Sequence, residues 1–483
     1  NSRSLSKVII QQYNSRMPAP YFIQSFVDTG LGNSAYLIGS HETKKGILID
    51  PLRDVDRYLH AVSELGLTLT HVLDTHLHAD FISGNREIAN QTNALIGASA
   101  TAQVVFEHQP LDENSVIDLG AFQIRVMTTP GHTHEHISFL LTEADSKTPA
   151  ALFSGGALIV GGAARTDLLG HEHTLGLAHD LYHTIHDKLL KLPDEVEVFP
   201  THGAGSFCVA PASKDRTTTI GRERKTNQLA QPMNQEEFIK RALTGLPSYP
   251  TYYKYMRPLN QNRVKILGGV PVLKPITPTE VKSLMDEGVL VLDVRHQKAF
   301  AAGHIPGSYG IRVDAPLVVW TGWVIPFGSR IILLTESAGD REEAMRQLIR
   351  IGYDDVVGYV EGGIEAWAKE YQVKTVSAIG PKELRERLSE VTLLDVRMLS
   401  EWNEGHIAGA IHFEGGRVAW DELTFPKDKP IAIQCASGNR SIIAISVLKR
   451  RGIHNVIQVD GGITKWKMSG FDIVKDQPNL ISL

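Results

Sequence analysis

The chain has 483 residues, of which 42% are hydrophobic and 21% charged, and its net charge is −5. This composition is ordinary for a globular chain of about three domains. It gives no reason to expect nucleic acid or an anionic membrane surface as a partner. No apolar run approaches the roughly 18 residues that a membrane span needs.

The cysteine content indicates a compartment. Cys208 and Cys435 cannot build a disulfide framework, so we expect a reducing environment, the cytoplasm. The mitochondrial matrix is the alternative, because the first 27 residues lack Asp and Glu and carry Arg3, Lys7 and Arg16. We expect Cys208 to be a small buried hydrophobe. A homodimer is left open.

Strands and helices alternate in the first half of the chain. Apolar runs predict strands over 21–26, 34–39, 46–51, 67–73, 122–127 and 137–141. Helical spacing predicts helices over 54–65, 84–91 and 171–192. The apolar stripe of the last helix is expected to be Leu175, Leu177, Leu181, Ile185, Leu189 and Leu190. This order suits two sheets sandwiched between helices.

Four loops of this region carry potential metal ligands. His76, His78 and Asp80 follow the strand over 67–73, and neutral imidazoles suit zinc, iron or copper. His132 follows a tight turn. A glycine-rich passage over 153–158 leads to an arginine and an aspartate in 164–167, and His202 follows the apolar stretch 196–199.

These four loops, in this order, resemble the metallo-β-lactamase fold. The resemblance covers residues 20–255 and implies an αββα sandwich, followed by a linker over 256–274. The segment 246–253 combines two prolines with three tyrosines. It is interpreted either as a linker with packed rings or as a lid beside the metal ligands, with equal weight.

After residue 275 the sequence repeats. The pattern Leu-Asp-Val-Arg at 292–295 recurs at 394–397, and Gly-His-Ile at 303–305 recurs at 405–407, both 102 positions later. The pattern Gly-Gly-Ile at 362–364 recurs at 461–463, 99 positions later. Each copy alternates short strands with helices, which predicts parallel sheets. The copies resemble tandem rhodanese domains, over 275–375 and 376–483, so the fold class is multidomain α/β.

The second copy carries a nucleophile. A strand over 431–434 runs into Cys435 and then a helix, and such a turn directs backbone N–H groups into one hollow that favours thiolate. Arg440 can bind an anionic sulfur group bidentately. Cys435 and Arg440 are the expected catalytic residues, and Ser437, Gly438 and Asn439 the expected substrate-binding loop. The separation of four residues matches rhodaneses rather than the related phosphatases.

The first copy has Glu336 where the second has Cys435, at the 99-residue offset. A carboxylate cannot carry sulfane sulfur. Glu336, Asp340 and Glu342 would also repel an anionic substrate. We interpret this copy as an inactive, structural one.

A metallo-β-lactamase-like domain fused to rhodanese copies resembles the persulfide dioxygenase–rhodanese fusion proteins. This resemblance implies oxidation of a small persulfide by O₂ at Fe(II), held by two histidines and one aspartate. It assigns the histidines to His76 and His132 and places Arg165 near the substrate. Phe81 stands where hydrolytic dizinc relatives carry histidine, and Gly156 stands where the aspartate should be.

Gly156 leaves three outcomes open. His78 could replace the carboxylate, Asp80 or Asp167 could reach the ion, or the domain binds no catalytic metal. We favour an ion on His76, His78 and His132, with Fe(II) expected if a metal is bound and zinc as an alternative.

The leading function is a two-site sulfur enzyme that acts on a small persulfide, with sulfite or thiosulfate as the other small molecules, and that transfers sulfane sulfur through Cys435. The alternative is a rhodanese sulfurtransferase whose first domain is a binding scaffold without catalysis. Hydrolysis of a thioester at a zinc site is disfavoured by Phe81 and Gly156 together.

Overall fold

Two β-sheets with a shared apolar core form the part of the chain up to Val270, which is one compact unit. The computed structural model describes residues 9–10, 19–208, 213–314 and 316–475. The first sheet contains, in spatial order, β1 (Ile9–Ile10), β2 (Tyr21–Asp28), β3 (Asn33–Ser40), β4 (Lys45–Ile49), β5 (Thr68–Leu73), β6 (Leu95–Ser99) and β7 (Gln109–Leu111). The second contains β8 (Val116–Asp118), β9 (Phe122–Thr128), β10 (Ile137–Glu143), β11 (Ala151–Gly155), β12 (Glu197–Pro200) and β13 (Thr218–Thr219), again as neighbours in sequence order.

Aromatic rings fill the space between the two sheets. Tyr36 of the first sheet packs against Phe153 and Phe199 of the second, with ring centroids 5.3 and 5.5 Å apart. Side chains alternate across a strand, so the other face of each sheet must be covered as well. Apolar residues of helices cover both outer faces. The αββα sandwich expected from the sequence is confirmed.

The helices of this unit are α1 (Asp56–Glu64), α2 (Asn85–Thr92), α3 (His171–His183), α4 (Ile220–Thr226), α5 (Gln235–Leu243) and α6 (Tyr253–Gln261). The helix expected over 171–192 continues beyond α3 as a π turn over Thr184–Lys188 and a 3₁₀ turn over Leu189–Lys191. Leu175 does not belong to its buried stripe and is 54% exposed. It precedes the buried Leu177 by two residues, about 200° around a helix of 3.6 residues per turn.

Two parallel five-stranded sheets form the rest of the chain. The first contains β14 (Pro275–Ile276), β15 (Leu290–Asp293), β16 (Tyr309–Gly310), β17 (Ile331–Leu334) and β18 (Val356–Val360), in the order β14-β18-β17-β15-β16. The second contains β19 (Ala378–Ile379), β20 (Thr392–Asp395), β21 (Ile411–His412), β22 (Ile431–Gln434) and β23 (Val456–Val459), in the equivalent order. The parallel sheets predicted from the repeat are confirmed.

Helices join these parallel strands, as crossover connections require. They are α7 (Pro278–Asp286), α8 (Gln297–Ala302), α9 (Leu317–Val324), α10 (Ala338–Arg350), α11 (Gly363–Glu370), α12 (Pro381–Glu386), α13 (Leu399–Asn403), α14 (Asn439–Arg450) and α15 (Gly462–Met468). Helix α9 is apolar and joins the two copies, because Trp323 lies against Gly416 and accepts a hydrogen bond from the Trp420 indole through its carbonyl. None of the helices in the described residues is long and apolar enough to span a membrane.

Candidate metal centre and sulfur-transfer loop

The histidines predicted to bind metal lie in loops that follow strand ends. His76 and His78 come after β5, His132 lies between β9 and β10, and His202 follows β12. All four side chains are buried. The ring centroids of His76, His132 and His202 lie 4.8 to 5.3 Å from one another. The fold therefore gathers residues from distant parts of the sequence into one cluster.

Hydrogen-bond partners decide which nitrogen of each ring carries the proton. His132 Nδ1 lies 2.7 Å from the carbonyl oxygen of Arg165, and His202 Nδ1 lies 3.0 Å from the Asn33 side chain. The Asn33 amide nitrogen donates to Asp80, so its oxygen faces His202. Both acceptors can only accept, so each Nδ1 must donate. In the neutral ring, Nε2 then keeps a lone pair.

A hydroxyl group gives His76 the same tautomer, with the proton on Nδ1. Thr75 Oγ1 donates its single proton to Asp50 at 2.8 Å, so it can only accept from His76 Nδ1, also at 2.8 Å. His76 Nε2 lies 3.3 Å from His202 Nε2, and His132 Nε2 is buried without a hydrogen-bond partner. Three Nε2 lone pairs therefore converge.

Burial keeps these rings neutral. It lowers the pKa of His132 to about 4 and that of His202 to about 3, because the charged form would lose its hydration among neighbouring histidines. The pKa of His76 is lowered for the same reason. Neutral imidazole is the form that binds a metal ion.

His78 has a different environment. Its Nε2 lies 3.2 Å from Asp50 Oδ1, and its Nδ1 is buried without a hydrogen-bond partner. Burial alone would lower the pKa of His78, but the Asp50 carboxylate raises it above its ordinary value. Its ring lies 4.2 Å from that of His76, and ligand atoms of His76, His78 and His202 lie within 4.8 Å of one another. The predicted metal role of His78 stays a prediction.

The second candidate site is the turn between β22 and α14. Cys435 is 1% exposed, and its Sγ accepts a hydrogen bond from the backbone N–H of Gly438 at 3.1 Å. Gly438 has φ +110°, a conformation that glycine adopts without strain. The turn therefore directs a backbone donor at the sulfur, as the sequence predicted.

Arg440 lies beside this turn and is held by Glu401 of α13. Both guanidinium NH₂ groups bind the Glu401 carboxylate, one of them at 2.8 Å. Burial alone would raise the pKa of Glu401, but the hydrogen bonds and charge of Arg440 hold it below its ordinary value. Glu401 was not singled out in the sequence, although it follows the repeated Asp-Val-Arg pattern by four residues.

The repeated glycines after β23 support the turn. A side-chain carbon on Gly462 would lie 2.1 Å from the carbonyl oxygen of Cys435, so only glycine fits. The N–H groups of Ile463 and Thr464, at the start of α15, donate to the carbonyls of Cys435 and Ala436. The residues of the Gly-Gly-Ile pattern therefore pack against the turn and hydrogen bond to it. The repeat of this pattern was visible in the sequence.

Known proteins resemble both parts of the chain. The metallo-beta-lactamase superfamily model matches residues 28–202, and the rhodanese-like domain model matches residues 277–370 and 380–469. The mitochondrial persulfide dioxygenase ETHE1 of Homo sapiens is 30% identical over 203 residues, 41% of this chain and 75% of that protein. A metallo-beta-lactamase crystal structure from Staphylococcus aureus shares 32% identity at a TM-score of 0.63, over 70% of this chain and 98% of that one. The hydroxyacylglutathione hydrolase-like protein of Mus musculus is 34% identical over 170 residues, 35% of this chain and 57% of that protein.

The chain belongs to the persulfide dioxygenase–rhodanese fusion family. This membership supports a role in sulfur metabolism. The predicted bounds of the domains stay predictions.

One position of this family member leaves no room for the expected iron ligand. A side-chain carbon on Gly156 would lie 2.8 Å from Cδ2 of His132 and 2.9 Å from the Ala164 side chain. The backbone N–H of Gly156 donates to His136 Nε2 at 2.9 Å. The set of two histidines and one aspartate does not fit here, whereas the converging imidazole lone pairs fit a metal ion bound by histidines.

The two aspartates that could replace this ligand have other partners. Asp167 binds Arg165 through both of its oxygens, and one oxygen of Asp80 accepts from Asn33. The second oxygen of Asp80 is buried without a hydrogen-bond partner. Among the described residues, neither aspartate belongs to a close group of three ligand atoms with the histidines.

Arg165 was predicted to bind substrate. Its guanidinium donates twice to Asp167 and once each to the carbonyls of Phe207 and Pro247, and it stacks on Tyr249 at 4.7 Å. Four of its five N–H donors are therefore used. The substrate role stays a prediction, and the structure gives Arg165 a positioning role.

Cys208 was expected to be only a small hydrophobe. It is fully buried, but its sulfur belongs to a group with one ligand atom each from His132 and His202, all within 4.8 Å of one another. Its carbonyl accepts a hydrogen bond from Arg165 N–H at 2.8 Å. Burial raises the pKa of its thiol. The expectation of burial is right, but the surroundings are polar.

The first rhodanese copy lacks the turn geometry of the second. Its helix α10 begins at Ala338, two positions earlier than α14 does at the 99-residue offset, and Glu336 is exposed. The aligned arginine, Arg341, stacks on Tyr359 at 3.9 Å. The first copy nevertheless contacts the turn that carries Cys435, because Arg312 Nη1 donates to Asn439 Oδ1 at 3.1 Å.

Proposed function

We propose that the chain transfers sulfane sulfur through a persulfide on Cys435, with a small persulfide or thiosulfate as donor and sulfite or a thiol as acceptor. One observation carries the proposal. Cys435 Sγ faces a backbone N–H at 3.1 Å in a turn that Arg440 flanks. The amide donor holds the sulfur at the turn, and the guanidinium places positive charge beside it.

The reaction follows from this geometry. The Cys435 thiolate attacks the outer sulfur of the donor, so a sulfur–sulfur bond forms at Cys435 and the bond to the leaving group breaks. Thiosulfate leaves as sulfite, and a persulfide leaves as thiolate. The acceptor then attacks the outer sulfur of the Cys435 persulfide, takes it and regenerates the thiolate. Arg440 supplies positive charge for the anionic donor and leaving group.

Replacement of the nucleophile tests the proposal. Cys435→Ser should abolish transfer of sulfur from thiosulfate to cyanide or to a thiol, because the serine hydroxyl oxygen cannot carry sulfane sulfur. Glu336→Ser, the aligned position of the inactive copy, is the matched control and should keep full turnover. Full activity of Cys435→Ser would disprove the assignment.

For the first domain we infer a metal ion bound by histidines. His76, His78 and His132 are the ligands predicted from the sequence, whereas the neutral imidazoles whose Nε2 atoms converge, which support an ion there, are those of His76, His132 and His202. Such an ion, when bound, supplies Lewis acidity to a persulfide sulfur or oxygen. His132 is oriented by Arg165 and His76 by Thr75, so these neighbours fix the ligand atoms.

Gly156 favours a second candidate function, in which the first domain is a binding scaffold. Anaerobic purification, elemental analysis and measurement of O₂ uptake on glutathione persulfide separate the two. Stoichiometric metal with O₂ uptake would support a persulfide-oxidising domain. Absence of metal after reconstitution would support the scaffold.

A further inference from the structure

We propose that Cys208 is a metal ligand, so that the first domain binds its ion through sulfur as well as imidazole and selects zinc over iron. This inference rests on the metal ion proposed above and specifies its ligands and identity. It does not depend on sulfur transfer at Cys435.

The position of Cys208 supports a ligand role. One ligand atom each of His132, His202 and Cys208 lies within 4.8 Å of the others, and all three residues are buried.

The histidine nitrogens beside Cys208 offer lone pairs to a cation. His132 Nε2 is a buried lone pair with no hydrogen-bond partner. His202 Nε2 is a second lone pair, and His76 Nε2, a third, faces it at 3.3 Å. Two lone pairs at this distance can bind one cation between them. Two nitrogen ligands on one tetrahedral zinc ion, each about 2.0–2.1 Å from it, are separated by about 3.3 Å.

A single residue positions two of these ligands. The backbone carbonyl of Arg165 accepts a hydrogen bond from His132 Nδ1 at 2.7 Å. The backbone N–H of Arg165 donates to the Cys208 carbonyl at 2.8 Å. The Arg165 side chain holds the preceding peptide, through the Phe207 carbonyl at 3.2 Å. This arrangement fixes Cys208 relative to His132 much as outer partners fix the ligands of known metal sites.

The ligand set determines the metal. Gly156 removes the carboxylate that favours Fe(II), and a Cys208 thiolate would restore one negative charge as a soft donor. Two imidazoles, of His132 and His202, with one thiolate form a ligand set of the kind that binds zinc and leave a fourth position open. Binding requires deprotonation of the thiol, so the ion replaces one proton, which passes to solvent.

Cobalt(II) spectroscopy tests this proposal, because the chain has only two cysteines. The full chain is loaded anaerobically with CoCl₂, beside Cys208→Ser and Cys435→Ser. Thiolate ligation gives a charge-transfer band in the near ultraviolet. We expect this band in the parent and in Cys435→Ser and its loss in Cys208→Ser. Circular dichroism of the three proteins controls for folding, and Cys208→Ala serves as a second variant.

Zinc titration provides an independent readout. The parent should release one more proton per zinc than Cys208→Ser, and the variant should bind zinc at least 10–100-fold more weakly, the cost usual for loss of an outer partner. A band that persists in Cys208→Ser, disappears in Cys435→Ser or is absent from cobalt-loaded parent would overturn the thiolate ligand. Failure of the parent to bind cobalt or zinc would overturn the metal ion itself, while turnover at Cys435 would stand.

Discussion

At the level of single residues, Gly156 determines which ligands the metal pocket can offer. Its backbone lies so close to the His132 ring that a side chain would displace that ring. We predict that Gly156→Asp does not gain stoichiometric iron and unfolds at lower temperature than the parent, because the buried carboxylate and His132 compete for one space. Elemental analysis after anaerobic reconstitution and a thermal melt provide the measurement.

Gly156→Ala separates the effect of crowding against His132 from the effect of burying a carboxylate. It adds the same first carbon without a carboxylate, so its loss of stability should arise from crowding alone. Stoichiometric iron in Gly156→Asp with an unchanged melting temperature would contradict the prediction.

Glu401 gives the active turn a dependence on pH. Its pKa lies below the ordinary value in the folded protein, so its pairing with Arg440 stabilises the fold above about pH 4.3 and is lost as the pH falls through the lowered pKa. We predict that Glu401→Gln melts at lower temperature than the parent at neutral pH and that the difference shrinks as the pH falls through the lowered pKa of Glu401. Thermal melts across this range measure it.

Glu404→Gln is the control, because Glu404 is an exposed glutamate three positions away. Its melting temperature should follow that of the parent at each pH. A difference for Glu401→Gln that does not change with pH would show that Glu401 acts by packing rather than by charge.

At the level of elements, the two rhodanese copies differ in the conformation of the turn that precedes one helix. Gly438 has φ +110°, and Gly339, at the aligned position, does not have a positive φ. We predict that Gly438→Ala costs about 1–3 kcal/mol of unfolding free energy and most of the sulfur transfer, because alanine is strained there. Gly339→Ala, within α10, should leave transfer unchanged and cost no stability.

Urea unfolding and a thiosulfate assay measure both variants. Equal losses in the two would contradict the difference between the turns. Loss of stability in Gly438→Ala without loss of transfer would show that the turn supports the fold but not the thiolate.

Features carried by neighbouring residues were predictable from the sequence. The strand ends with their histidines and the turn from Cys435 to Arg440 follow from local patterns, and the structure shows them. Contacts between distant residues were not predictable. Glu401 meets Arg440 across 39 positions, and His132 meets Arg165 across 33. Cys208 was predicted to have apolar neighbours because free cysteines are usually buried. Only the fold shows which polar groups surround it.

At the level of the whole molecule, the chain divides into two compact units, and each carries one candidate site. A ligand stabilises only the unit that binds it, by about 2.7 kcal/mol at 100 times its dissociation constant. We predict that scanning calorimetry shows two transitions and that zinc raises only one of them. Removal of zinc with a chelator should reverse the shift.

Cys208→Ser identifies the transition that responds. In this variant the zinc-dependent shift should shrink, while the other transition stays where it is in the parent. A zinc shift of equal size in the variant, or a shift of both transitions, would contradict the assignment of the ion to the first unit.

The hydrogen bond from Arg312 to Asn439 makes the first rhodanese copy a support for the turn of the second. Such support needs no chemistry in the first copy, so Glu336 in place of a cysteine does not affect it. Loss of Arg312 should loosen the turn that carries Cys435. A chain shortened to the last domain alone would inherit the nucleophile without this support.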